Sequence, residues 1–373
     1  MDFDGLEETM TGGWRQFISD GEGPITKNDN AFELCTDMID NGGAFFKIIS
    51  KYDDVLADIL QRPNYKAGDT LRLILPFLKA YGATDTWMLE FSRKNIVTVP
   101  GARKTMRFVQ EFMTPFIVAT SYEHYISAVC DAIGFPLENT YSTALDLDSV
   151  KMEPWEGEML KRYAQEIARM DEIRIPDGTR NVEDLKPRDR DTIKRLDEIF
   201  WNELTDLSSY QLVLDVNPVG GEEKASAVLD IRRRTGIGLE DTAYVGDSIT
   251  DVQAFQLVRE GGGLTLSFNG NEYALREAEY AVISDNTVIT SVLAEAFHKA
   301  GMEGISSLVE DWTMDNLRSS GLVNSYLMRE FERVYPDKPP TVARITPHNM
   351  KTLTRQSLAF RRSVRGETIG ALG

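Results

Sequence analysis

The chain has 373 residues, 42% of them hydrophobic and 27% charged, enough for one large core with insertions or for two domains. Asp and Glu outnumber Lys and Arg by 59 to 41, and a net charge of −18 argues against general nucleic-acid binding, because it would be repelled by a phosphate backbone. Two cysteines, Cys35 and Cys130, are too few for a disulfide scaffold; together with an acidic start, Met1-Asp2-Phe3-Asp4, unlike a signal peptide, they lead us to expect a cytoplasmic protein with two buried free thiols.

In chain order, short apolar runs at 15–19, 115–119, 211–216, 242–245, 264–268 and 281–284 are predicted strands. Helical patterns follow at 123–133, 223–234, 250–259 and 272–277. This alternation predicts a parallel sheet covered by helices on both faces, with ligands at the carboxyl ends of the strands. Two helical stretches interrupt it. In 28–99, Asn30 is the predicted N-cap with Glu33 three residues on, Phe45 to Ile59 keep a 3.6-residue period, and Pro63 ends the run. Within that stretch the apolar run 71–81 is broken by Arg72, Pro76 and Lys79, so no membrane span is predicted. In 151–207, two apolar faces (Met159, Tyr163, Ile167, Met170 and Ile193, Leu196, Phe200, Leu204) flank a polar linker at 173–190. After about residue 301 a helical extension runs past Pro336, Pro339 and Pro340 to a basic tail, Arg361-Arg362-Ser363-Val364-Arg365, read as a solvated end. His124, His298 and His348 are scattered and are read as packing or surface residues.

Four short motifs carry chemistry. Ser19-Asp20-Gly21-Glu22-Gly23 places two acids at a strand end among glycines, which let the backbone curl close to an anion. Val118-Ala119-Thr120-Ser121 ends an apolar strand in two hydroxyls able to donate to a phosphoryl oxygen, or to cap the next helix. Gly220-Gly221-Glu222-Glu223-Lys224 puts a lysine in the first turn of a helix, near its positive end. Gly246-Asp247-Ser248-Ile249-Thr250-Asp251 gives two acids four apart after a strand, few enough for a Mg²⁺ that keeps most of its waters. Taken singly each is an ordinary turn, cap or surface lysine. Their order and their shared position are specific.

Together they resemble the four motifs of the haloacid dehalogenase superfamily. The resemblance implies an α/β fold with a Rossmann-like core over 14–26, 98–150 and 208–300. It further implies a helical cap at 27–97, placed as in phosphoserine phosphatase relatives, beside the helical insert at 151–207 and the C-terminal extension at 301–373. It implies an Mg²⁺-dependent phosphatase acting on a small phosphorylated substrate. Asp20 would be the nucleophile and Glu22 the acid/base. Thr120, Ser121, Lys224 and the Gly21 amide would bind phosphate. Asp20, the Glu22 carbonyl, Asp247 and Asp251 would serve the metal. Two positions depart from the pattern: Glu22 stands where Asp is usual, as it does in enolase-phosphatases, and Pro24 replaces a threonine. The whole chain also resembles an archaeal group of predicted hydrolases, some described as a subunit of energy-converting hydrogenase. That leaves open a non-catalytic partner subunit using the helical extensions for a protein partner or a homo-oligomer. A phosphotransferase or phosphomutase fits the same motifs, and a metal-free dehalogenase fits less well because Glu22 is acidic.

Overall fold

The computed structural model describes residues 15–176 and 178–371. The acidic start, residue 14 of the expected core and 372–373 of the expected extension lie outside them. Among the described residues, seven strands form one sheet in the order β3-β2-β1-β4-β5-β6-β7: β1 Arg15–Ser19, β2 Met113–Tyr122, β3 Thr140–Thr143, β4 Thr242–Gly246, β5 Leu264–Phe268, β6 Tyr280–Ile283 and β7 Thr341–Arg344. The first six run parallel and β7 pairs antiparallel with β6. Phe17, Ile18, Ile117, Val118, Tyr244 and Val245 are buried, as strands covered on both faces require.

Five of the six predicted strands are present. The exception is 211–216, where Gln211–Asp215 is a short helix following a 3-10 turn, with Leu212 and Val213 buried and Leu214 exposed. A six-residue apolar run is too short for periodicity to separate strand from helix. The extension after 301 is not purely helical either: β7 lies within it and adds an edge strand to the sheet.

The two insertions form a single helical body. Phe45, Tyr52, Leu73 and Phe77 from the first share one buried core with Leu160, Ile167, Leu196 and Phe200 from the second. Phe200 stacks on Tyr52 and meets Phe77 edge-on, each at 6.0 Å between ring centres. Asp29, not Asn30, caps the first helix, Asn30–Met38, by accepting from the Phe32 amide at 2.9 Å, while Glu33 binds the Asn28 side chain. Cys35 and Cys130 are buried free thiols. Among the described residues no helix is long and apolar enough to cross a membrane.

Candidate active site

At the carboxyl end of the sheet a cavity of about 120 Å³ lies between sheet and helical body, lined among others by Asp20, Glu22, Thr120, Ser121 and Asp247. Asp20 follows the last residue of β1, and its amide donates to the Val245 carbonyl of the neighbouring β4 at 2.8 Å. Beyond it the chain turns tightly: the amides of Gly23, Ile25 and Thr26 are all engaged within the loop. Pro24 sits between these donors, and the turn closes through them without needing an N–H from it. Gly23 has φ +93°, and a Cβ there would overlap the Asp247 carboxylate, so only glycine fits.

Asp20, Asp247 and Asp251 form a buried cluster whose ligand atoms lie within 4.8 Å of one another. An all-oxygen donor set of this kind fits a hard divalent cation. Lys224 is fully buried between two of the acids, donating to Asp20 Oδ2 at 2.6 Å and to Asp251 Oδ1 at 2.7 Å. It reaches them from the first turn of the helix Glu222–Thr235, not from a strand, because the expected strand before it is absent. Burial works against its charge, yet Asp20 and Asp251 together hold its pKa above the ordinary lysine value. Burial likewise pushes Asp20 up to about 7, against the pull of Lys224, with Asp251 and Asp247 adding to the rise.

Asp251 has both oxygens engaged: Oδ1 accepts from Lys224 and from the Tyr244 hydroxyl, and Oδ2 from the amides of Asp247 and Ser248. It shapes the turn that carries Asp247. Glu22 accepts from the Asn30 amide at 2.9 Å; burial, reinforced by Asp29, raises its pKa well above the usual carboxylate range and favours the protonated acid.

Thr120 and Ser121 lie inside β2, and the cap of the next helix is Tyr122, so neither hydroxyl is spent on capping. The Thr120 hydroxyl is buried and has no hydrogen-bond partner among the described residues. Gly21 turns its amide to Asp20 Oδ1 at 2.6 Å, so that N–H is already engaged by the neighbouring carboxylate.

The sequence reading missed two residues at the site. Arg361 and Arg365, read as a solvated tail, are buried against Asp247. Arg361 Nη1 donates to Asp247 Oδ2, and Arg365 Nη1 donates to the same oxygen at 3.1 Å. The available signal was spacing: Leu353, Ser357, Arg361 and Arg365 recur every four residues along one side of the helix Met350–Arg365.

No protein-family model matches the chain, nor does any curated protein sequence. Solved structures do. Gene product AF1437 from Archaeoglobus fulgidus is 27% identical, with a TM-score of 0.78 over 96% of this chain and 99% of that one, so the likeness extends well beyond the sheet. A phosphoserine phosphatase in apo form is 14% identical, covering 73% of this chain and 95% of its own, with a TM-score of 0.44. A phospho-aspartyl intermediate analogue of phosphoserine phosphatase gives 14%, 75%, 97% and 0.45 for the same quantities.

Proposed function

We propose that this chain, whose four motifs resemble those of the haloacid dehalogenase superfamily, is a metal-dependent phosphohydrolase that cleaves a small phosphate monoester through Asp20. The observation that carries the reading is the convergence of Asp20, Thr120 and Asp247 on one small cavity, with Lys224 buried behind them and donating to Asp20 and Asp251. A cofactor-free dehalogenase has no use for a tri-aspartate cluster, nor for an acid held protonated beside the nucleophile.

Asp20 and Asp247 would hold the cation, with Mg²⁺ as the ion that best suits so sparse a set of carboxylates. Bound there, it would neutralise these carboxylates and the phosphate and so let an anionic nucleophile approach an anionic ester. The remaining work falls to side chains. An Asp20 oxygen attacks phosphorus, the bond to the leaving oxygen breaks, and Glu22 gives that oxygen its proton. Thr120 donates to a phosphoryl oxygen and Lys224 offsets the charge that spreads over the group. Water then attacks the phosphorus of the aspartyl-phosphate, Glu22 takes the water's proton, the bond between phosphorus and the Asp20 oxygen breaks, and inorganic phosphate leaves with the Asp20 carboxylate restored. The helical body over the cavity excludes bulk water.

The test is phosphate release from a panel of phosphorylated metabolites, with Mg²⁺ and with excess chelator. Turnover by the unmodified protein only with Mg²⁺, and none by Asp20→Asn, is expected. Undiminished turnover in chelator would overturn the metal-dependent reading.

A further inference from the structure

We propose that Arg361 and Arg365 of the C-terminal helix are positioning residues of the metal site, holding one oxygen of Asp247 so that the other, Oδ1, is presented as the ligand. The inference rests on the reading of Asp20 and Asp247 as metal ligands.

The helix Met350–Arg365 is fixed along the same stripe that carries the arginines. Leu353 packs with Leu275 and Ala281, and the Ser357 hydroxyl donates to the Gly270 carbonyl at 2.7 Å. One and two turns further on, Arg361 and Arg365 both reach Asp247 Oδ2, with side chains only 3% and 7% exposed. Charge-assisted bonds from two guanidiniums to one oxygen fix the rotation of the carboxylate. No hydrogen bond to Oδ1 of the same group is seen among the described residues, and Asp247 lines the cavity. The backbone is held as well: Asp251 Oδ2 accepts from the Asp247 amide at 2.9 Å, and the Asp247 carbonyl accepts from Asn271 at 2.9 Å.

For Arg365, a direct role in binding a substrate anion fits less well. Arg365 donates from Nε to the Lys27 carbonyl at 3.0 Å, from Nη2 to the Asn28 carbonyl and from Nη1 to Asp247. Each of its nitrogens is already committed, and together they tie the end of the Asp20 loop to the Asp247 turn. This is the work of an outer shell, whose loss weakens metal binding about 10–100-fold in known sites. Repulsion between guanidinium and cation acts in the opposite direction, so the sign of the effect decides which dominates.

The test is a Mn²⁺ titration of the full chain, followed by the paramagnetic resonance of free Mn²⁺, on the unmodified protein, Asp247→Asn, Arg361→Met, Arg361→Lys and Arg365→Met, each checked for folding by circular dichroism. We expect Asp247→Asn to lose the site, Arg361→Met and Arg365→Met to bind about 10–100-fold more weakly, and Arg361→Lys to recover part of the loss. Unchanged or tighter binding in folded arginine variants would overturn the inference while leaving the metal site standing. If Arg361→Met does not fold, Arg361→Lys decides: affinity equal to the unmodified protein overturns the proposal. No Mn²⁺ bound by the unmodified protein removes both readings. The expected Mn²⁺ pattern without hydrolysis of any ester removes the phosphohydrolase alone and supports the arginine assignment.

Discussion

Thr120 exposes a conflict between stability and work. A buried hydroxyl without a partner costs about 1–3 kcal/mol, and the cost is recovered only when something accepts from it. Thr120→Val keeps the shape and removes the hydroxyl. It should therefore raise the melting temperature of the resting protein while lowering kcat/KM about 10²-fold, as removal of a single transition-state donor does. Thermal unfolding and steady-state kinetics on one preparation check both halves; a variant that loses stability would show that the hydroxyl is satisfied at rest. Asp20 and Glu22 separate by leaving group. Glu22→Gln should slow an alkyl phosphate about 10²–10⁴-fold yet still let p-nitrophenyl phosphate, which needs little protonation, phosphorylate Asp20. Equal slowing of the two bursts would make Glu22 a turn residue. Asp20, Thr120, Lys224 and Asp247 were legible because each stands at the end of a local pattern. Arg361 and Arg365 were not, because what buries them is a contact with Asp247, more than a hundred residues away in sequence.

At the scale of the element, the first helix of the helical body carries a pH dependence. Glu33 on Asn30–Met38 has its pKa raised from 4.5 to about 7, chiefly by burial, in spite of the amide that Asn28 offers it. A carboxyl raised in the folded state binds its proton more tightly there than in the unfolded chain. Its contribution to stability is thus complete below the unfolded value and is lost as pH rises through about 7. Urea unfolding at pH 5 and pH 8 should show the unmodified protein losing more stability than Glu33→Gln between the two; parallel losses would place the origin elsewhere. The strands beside the nucleophile could be read from sequence because they are apolar and end in motifs. β3 and β7 could not: each has four residues, and β7 is half exposed at the sheet edge, so neither carries a hydrophobic signature. The run at 211–216 failed for the converse reason, since its apolar residues serve the core of the helical body and not the sheet.

For the whole molecule, the main result is that two insertions more than fifty residues apart in sequence share a core. Phe200→Ala, in the second, should cost about 3–5 kcal/mol, the usual range for deleting a buried aromatic ring. Hydrogen exchange should then rise in Gly42–Asp54 of the first insertion as much as around residue 200, with β1, β4 and β5 still protected. A response confined to 151–207 would mean two separate bodies. The shared core also changes the mechanics of the site. A lid on one pair of tethers can swing about the line between them. This body has four: 27–28 and 97–98 on either side of the first insertion, and the segments leaving β3 and leading into Glu222–Thr235 on either side of the second. The 27–28 and 97–98 tethers are stitched together, with Lys27 donating to the Val97 carbonyl and Val97 to the Asn28 side chain, each at 2.8 Å. β1 and β3 stand two strands apart, roughly 10 Å at normal strand spacing, so the two pairs of tethers leave the sheet along different lines. No single axis serves both pairs, and a wide hinge rotation would have to stretch one of them. The rotational freedom of an ordinary lid is thereby reduced, and any motion at the cavity falls to short segments such as the 60–69 loop, whose Gly68 lies against Thr120 and Gly220.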